Sequence, residues 1–195
     1  VMDNLLMRNK LTDSKIDALI GGDLINQTSI SSYNASKYRI PYLGLYSACA
    51  TYAEELIVAG SLISGKLARN VVTITSSHNL NAERQFRYPV EYGAIKKHTT
   101  TFTTTAAVAT LLTSEVNSIK LESATIGKVL DMGVKDANNM GAVMAPAAAE
   151  TLNTHLLELK RNVNYYDVIV TGDLGKVGKE IFLEMLDKVY NIRIN

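Results

Sequence analysis

The chain has one cysteine in 195 residues, which excludes an internal disulfide framework and a Cys-rich zinc site. It has no excess of either charge. Lys and Arg total 20 against 19 Asp and Glu, a net of +1, so a strongly basic nucleic-acid binder is disfavoured and no nucleic-acid partner is expected. No apolar run approaches the roughly 18 residues of a membrane span, and Val1 to Lys10 lacks the basic-then-apolar layout of a signal peptide. No two of His78, His98 and His155 have metal-ligand spacing on one helix face, and no carboxylate cluster is dense enough for a calcium cage. The Gly-Lys pairs at 175–176 and 178–179 lack the following Ser or Thr of a phosphate loop. Neither a metal nor another cofactor is expected. What remains is apolar material: 47% of the residues are hydrophobic, enough for a real core in one ordinary domain or most of a larger one. The expectation is a soluble, intracellular protein whose membrane connection, if it has one, runs through a partner.

Along the chain, residues 1–15 pattern as a helix end and a turn at Thr12-Asp13-Ser14. Ile16 to Ile20 patterns as a buried strand closed by Gly21-Gly22-Asp23, residues 28–38 as a short helix, and Pro41 to Ala48 as a second strand. From Cys49 to Ser64 the period is helical, with Leu56, Ala59, Gly60 and Ile63 on one face, Glu54 and Glu55 toward water, and Gly65 as the stop. Val71 to Thr75 is strand-like. Ser76 to His98 is expected to be a long loop, functional or mobile. The uncharged run 99–113 is expected to be a buried strand, and Ser118 to Leu130 its partner. Ala142 to Lys160 patterns as a helix with Pro146 near its start, Tyr166 to Thr171 as a strand, and Leu174 to Val189 as a helix. An internal echo joins the two ends: Asp17, Gly22, Asp23 and Leu24 recur as Asp167, Gly172, Asp173 and Leu174, which suggests a duplicated α/β unit.

Cys49 is the sharpest chemical feature. It follows a strand and opens a helix, where unpaired N–H groups and the helix dipole favour a thiolate and offer an oxyanion site. A cysteine there is either such an activated thiol or an inert space-filler. His78 ends a strand in Ser76-Ser77-His78-Asn79, at the sheet edge where α/β folds place ligands, and is placed to serve the thiol as a base. Arg84, Arg87, Lys96 and Lys97 supply cations in the segment that follows; Arg forks suit carboxylates and phosphates. His98 and His155 are expected to be ordinary solvated or interface residues.

Ser47-Ala48-Cys49-Ala50 between strand and helix resembles the nucleophile turn of the thiolase superfamily, which includes the β-ketoacyl synthases. Longer strings resemble one branch, the stage V sporulation protein AD family: Pro41-Tyr42-Leu43-Gly44-Leu45, Thr75-Ser76-Ser77-His78-Asn79, Gln85-Phe86-Arg87-Tyr88-Pro89, Ser123-Ala124-Thr125-Ile126-Gly127-Lys128, Asn139-Met140-Gly141-Ala142 and Val170-Thr171-Gly172-Asp173-Leu174. The resemblance implies an α/β fold of thiolase-like αβαβα type, with duplicated halves and mixed sheets. On that reading residues 1–115 are the first half without its opening strand, and 116–195 the start of an incomplete second half. The second half's catalytic His or Asn positions of the condensing enzymes are then missing. Such a chain should cover its open edges by self-association or a tight partner.

The resemblance further implies a sporulation protein, peripheral on the cytoplasmic face of the forespore inner membrane. It would bind dipicolinic acid (pyridine-2,6-dicarboxylate) and support its uptake with integral membrane proteins of the same operon. The pocket is then expected at Cys49, His78, Arg84, Arg87 and Tyr88, with Cys49 in the nucleophile position and no enzymatic activity. Two alternatives stay open: acyl transfer through Cys49, and a docking subunit that binds no small molecule.

Overall fold

In the computed structural model, which describes residues 1–86, 95 and 97–194, the run ending in Gly21-Gly22-Asp23 forms β1 (Ala18–Asp23), buried at every position. It lies between two parallel neighbours, β2 (Tyr42–Leu45) and β3 (Asn70–Ser77). Antiparallel β4 (Ala106–Thr113) closes the order β2-β1-β3-β4, so the sheet is mixed. Asp17 sets the β1–β3 register: its carboxylate accepts from the N–H groups of Arg69 (2.7 Å) and Asn70 (2.8 Å).

Strand alternation sends successive side chains to opposite faces. Leu19, Val72 and Ile74 pack with Met2, Ile16, Ala35 and Ile40 beneath α1 (Met2–Arg8) and α2 (Ser29–Ala35). Ala18, Ile20 and Val71 pack on the other face against Ala59 of α3 (Thr51–Ser64). The helix does end at Gly65, although the left-handed residue is the next one, Lys66 (φ 60°).

Contacts divide the chain into one unit of Val1–Tyr88 with Thr103–Glu122 and another of Pro89–Phe102 with Ser123–Asn195. The second unit is built on α5 (Met140–Leu159) and α6 (Gly175–Lys188), joined through Ala145, Ala149, Leu174, Phe182 and Leu186. Pro146 falls within α5 and is buried there. The helix backbones touch where both carry glycine: a Cβ on Gly178 would stand 2.6 Å from the Gly141 Cα.

Four expectations are corrected. The segment after β3 is not all loop, because Asn79–Phe86 forms α4, burying Ala82 and Glu83. The Asn79 amide donates to the Thr105 hydroxyl (2.9 Å) and its side-chain amide to the Thr103 carbonyl (2.7 Å), anchoring the helix start. The run 99–113 is strand only from Ala106, and it is a half-exposed edge rather than buried. Residues 118–130 form no strand; Ile119 and Val129 are exposed. Tyr166 to Thr171 likewise joins no ladder among the described residues, and Val168 and Val170 point to solvent. β-branched composition raises strand propensity, but a strand exists only with a partner.

The internal echo, by contrast, extends beyond the residues that reveal it. The ends of α1 and α5 superimpose in conformation at an offset of 150 residues: Lys10 and Lys160 are both left-handed (φ 54° and 53°). Leu11 N–H donates to Leu6 O at 3.0 Å, and Arg161 N–H to Leu156 O at 2.9 Å, a helix stop of the same type. A single 3-10 turn follows each stop, Asp13–Lys15 and Val163–Tyr165.

Candidate functional site

The register puts three strand ends at one sheet edge: Leu45 lies opposite Gly22, and Ser76 opposite Asp23. Carboxyl-terminal strand edges are where open α/β sheets bind ligands. Cys49 leaves this edge from β2 and His78 from β3, so both expected residues start from the same rim, and both are exposed. Cys49 stands on a 3-10 turn, Ala48–Ala50, rather than in the first turn of α3, which begins at Thr51. Arg84 is exposed on α4. Arg87 and Tyr88 lie outside the described residues.

The turn before Cys49 is held in a costly conformation. Ala48 is left-handed (φ 47°), a region that L-residues other than Asn and Asp rarely enter. Thr51 holds it there: its hydroxyl donates to the Ala48 carbonyl (2.8 Å) and accepts from the Ser47 N–H (3.0 Å). Ala48→Gly is therefore expected to raise stability by about 1 kcal/mol, read as a higher denaturant midpoint at unchanged slope. A lower midpoint would show that the strain at Ala48 is smaller than the chain entropy that glycine adds to the unfolded state.

Beneath this turn lies a polar layer that sequence reasoning missed. Asp23 is buried, and its carboxylate accepts from the N–H (3.3 Å) and hydroxyl (3.1 Å) of Ser31 and from the Ser76 hydroxyl. In the sequence Asp23 stands out only through the Gly21-Gly22-Asp23 turn and the echo, Ser76 only as a neighbour of His78, and Ser31 not at all. On the opposite face of β1, Thr51 and Glu55 sit over Gly22. A Cβ there would meet Thr51 Cγ2 at 2.2 Å, the Leu45 carbonyl at 2.8 Å and Glu55 Oε1 at 2.9 Å, so only glycine admits α3 this close.

That approach overturns the placement of Glu55 toward water: it is fully buried, and Glu54 is half-buried. The row Thr51–Glu55–Ala59, at helical spacing of four, is the face that packs on β1. Glu55 Oε2 accepts from the Thr75 hydroxyl (2.5 Å), while Oε1 is buried without a hydrogen-bond partner. Burial pushes the Glu55 carboxyl up to about 7; the Thr75 hydrogen bond opposes this, and Asp23 and Glu54 add to it. Burial beside other carboxylates is one arrangement by which functional sites raise an acid toward neutrality.

In the second unit, His155 is not simply solvated. Its Nδ1 lies 2.8 Å from the Thr125 hydroxyl and its Nε2 2.6 Å from the Tyr166 hydroxyl, which also accepts from Arg161 (3.1 Å).

Comparison with known proteins gives consistent results. The family model described as stage V sporulation protein AD matches residues 1–195. Stage V sporulation protein AD of Bacillus subtilis (strain 168) is 45% identical over 181 residues, 93% of this chain and 54% of that protein. The chain thus spans about half the length of the curated relative it matches. Among solved structures, 3-oxoacyl-[acyl-carrier-protein] synthase III from Aquifex aeolicus is similar with a TM-score of 0.65 at 18% identity, covering 96% of this chain and 62% of that one. Xanthomonas campestris OleA bound with cerulenin gives 0.70 at 14% identity, covering 98% and 60%. At such identities the likeness shows the fold, which is thiolase-like.

Proposed function

Because the chain belongs to the stage V sporulation protein AD family of thiolase-like sporulation proteins, we propose that it binds dipicolinate and supports its uptake into the developing spore. The observation that carries this reading is the common rim: Cys49 and His78 leave the same sheet edge, with Arg84 on the helix that follows. A flat aromatic dianion requires cationic forks and an aromatic or apolar wall. Arg84 and Arg87 are the forks of this proposal and Tyr88 the wall, with His78 and Cys49 lining the rim. Uptake needs a membrane path, and no described helix is long and apolar enough to provide one. That path is assigned to integral membrane proteins, with this protein docked peripherally on the inner membrane of the forespore.

Calorimetric titration of dipicolinate tests the reading. Binding is expected, and Arg87→Ala should weaken it about tenfold or more, the loss of a charge-assisted hydrogen bond. Unchanged affinity would remove Arg87 from the site, and absence of heat in the wild-type protein would overturn the binding reading. The exposed Cys49 after a left-handed residue supports a second reading, acyl transfer, because the same fold occurs in a 3-oxoacyl synthase. Intact-mass spectrometry after incubation with an acyl thioester separates the two: an adduct lost in Cys49→Ser favours transfer, and an unmodified thiol favours binding.

A further inference from the structure

We infer that Glu55 is a proton-accepting group built into the rim, and that binding of a dianionic dicarboxylate there raises the protonated fraction of this side chain. The inference rests on the dipicolinate reading for the ligand, and on geometry for the proton. Glu55 is fully buried with one oxygen unpartnered. It sits one helical turn from Thr51, which clamps the Cys49 turn, and both side chains converge on Gly22. Among the described residues, no positive charge acts on it to neutralise an ionised carboxylate. Asp23, on the opposite face of β1, and Glu54, on its own helix, both act on it as negative charges. β2 presents the Leu45 carbonyl and β3 the Thr75 hydroxyl, neither of which titrates.

Two more negative charges at this edge raise the cost of an ionised Glu55 further. Its response is to take a proton from the buffer: the carboxylate becomes a carboxylic acid, and no bond of the ligand forms or breaks. A carboxyl at about 7 that rises by one unit goes from roughly one-quarter to three-quarters protonated at about pH 7.5, an uptake of about half a proton per ligand.

The test is titration of dipicolinate near that pH in buffers of different ionisation enthalpy. Proton uptake, read from how the heat varies with the buffer, is expected to be smaller in Glu55→Gln than in wild type by about half a proton, with any share from His78 of the same rim common to both. Buffer-independent heat in wild type, or uptake undiminished in Glu55→Gln, overturns the inference. A ligand-free arm separates this from failure of the dipicolinate reading. Infrared difference spectra should show a protonated-carboxyl stretch titrating near neutrality in wild type and absent in Glu55→Gln. Its midpoint should fall in Glu54→Gln, which removes a negative neighbour and leaves the buried carboxyl in place. A wild-type protein without that band overturns the inference whether or not dipicolinate binds.

Discussion

Gly178→Ala is expected to lower stability by about 3 kcal/mol, near the upper end for an added methyl in a packed interface, and the melting temperature by roughly 6–12 °C. Helix propensity points the other way, since alanine in a helix interior is favoured over glycine by about 1 kcal/mol. The close crossing decides the sign. The new Cβ would lie 2.6 Å from the Gly141 Cα and 2.9 Å from its carbonyl carbon and oxygen. These are backbone atoms, which cannot rotate away, so α6 must shift off α5 and loosen Phe182 and Leu186 from Ala145 and Ala149. Gly60→Ala is the control. The atom nearest its Cβ is a terminal methyl of Leu121 at 2.9 Å, the end of a flexible side chain, so propensity should dominate and stability should hold or rise slightly. A Gly178→Ala protein as stable as wild type would show that the helices do not cross at their glycines.

The second large effect is a pH dependence that Glu55→Gln should abolish. The Glu55 carboxyl sits at about 7 in the folded chain against an ordinary value of 4.5. Between these limits the folded state holds more protons than the unfolded state, so stability must fall as pH rises through this window. Below 4.5 the carboxyl is neutral in both states and adds no pH-dependent cost, and the full added cost of an ionised buried carboxylate is reached above 7. The loss across the window is up to about 3 kcal/mol. Glutamine keeps the shape and the Thr75 contact and carries no charge, so its profile should be flatter, with the largest gain over wild type above neutrality. Parallel denaturant midpoints for the two proteins across the whole range would place the ionised Glu55 in water.

Much of the fold is legible in the sequence, because β1, β2 and β3 are apolar runs ended by turn residues and α3, α5 and α6 carry long helical patterns. The rim is legible too, since a lone cysteine between strand and helix and a histidine at a strand end mark the positions from which Cys49 and His78 emerge. Other features depend on partners that no local pattern reveals. Glu55 looks like a solvated charge until Gly22 brings α3 down onto β1. Asn79–Phe86 looks like loop because its helix is polar and is fixed by Thr103 and Thr105, residues distant in sequence. Residues 118–130 and 166–171 carry strand composition without a ladder to join among the described residues. Ser31 and Ser76 become site residues only because α2 and β3 meet at Asp23.

The repeated helix stop means that the molecule carries its own control experiment. One backbone joint, a left-handed lysine followed by a 3-10 turn, is built twice with different chemistry. In the first copy Leu5, Leu11 and Ile16 close it with hydrocarbon against the sheet. In the second, the residues at the same offset are His155, Arg161 and Tyr166, which close it with hydrogen bonds. Exchanging the two trios would compare greasy and polar closure of a single joint at fixed geometry, a comparison that unrelated proteins do not offer. The two copies share the backbone joint and differ in its lining, so they separate what the left-handed stop and its 3-10 turn require from what the surrounding side chains add.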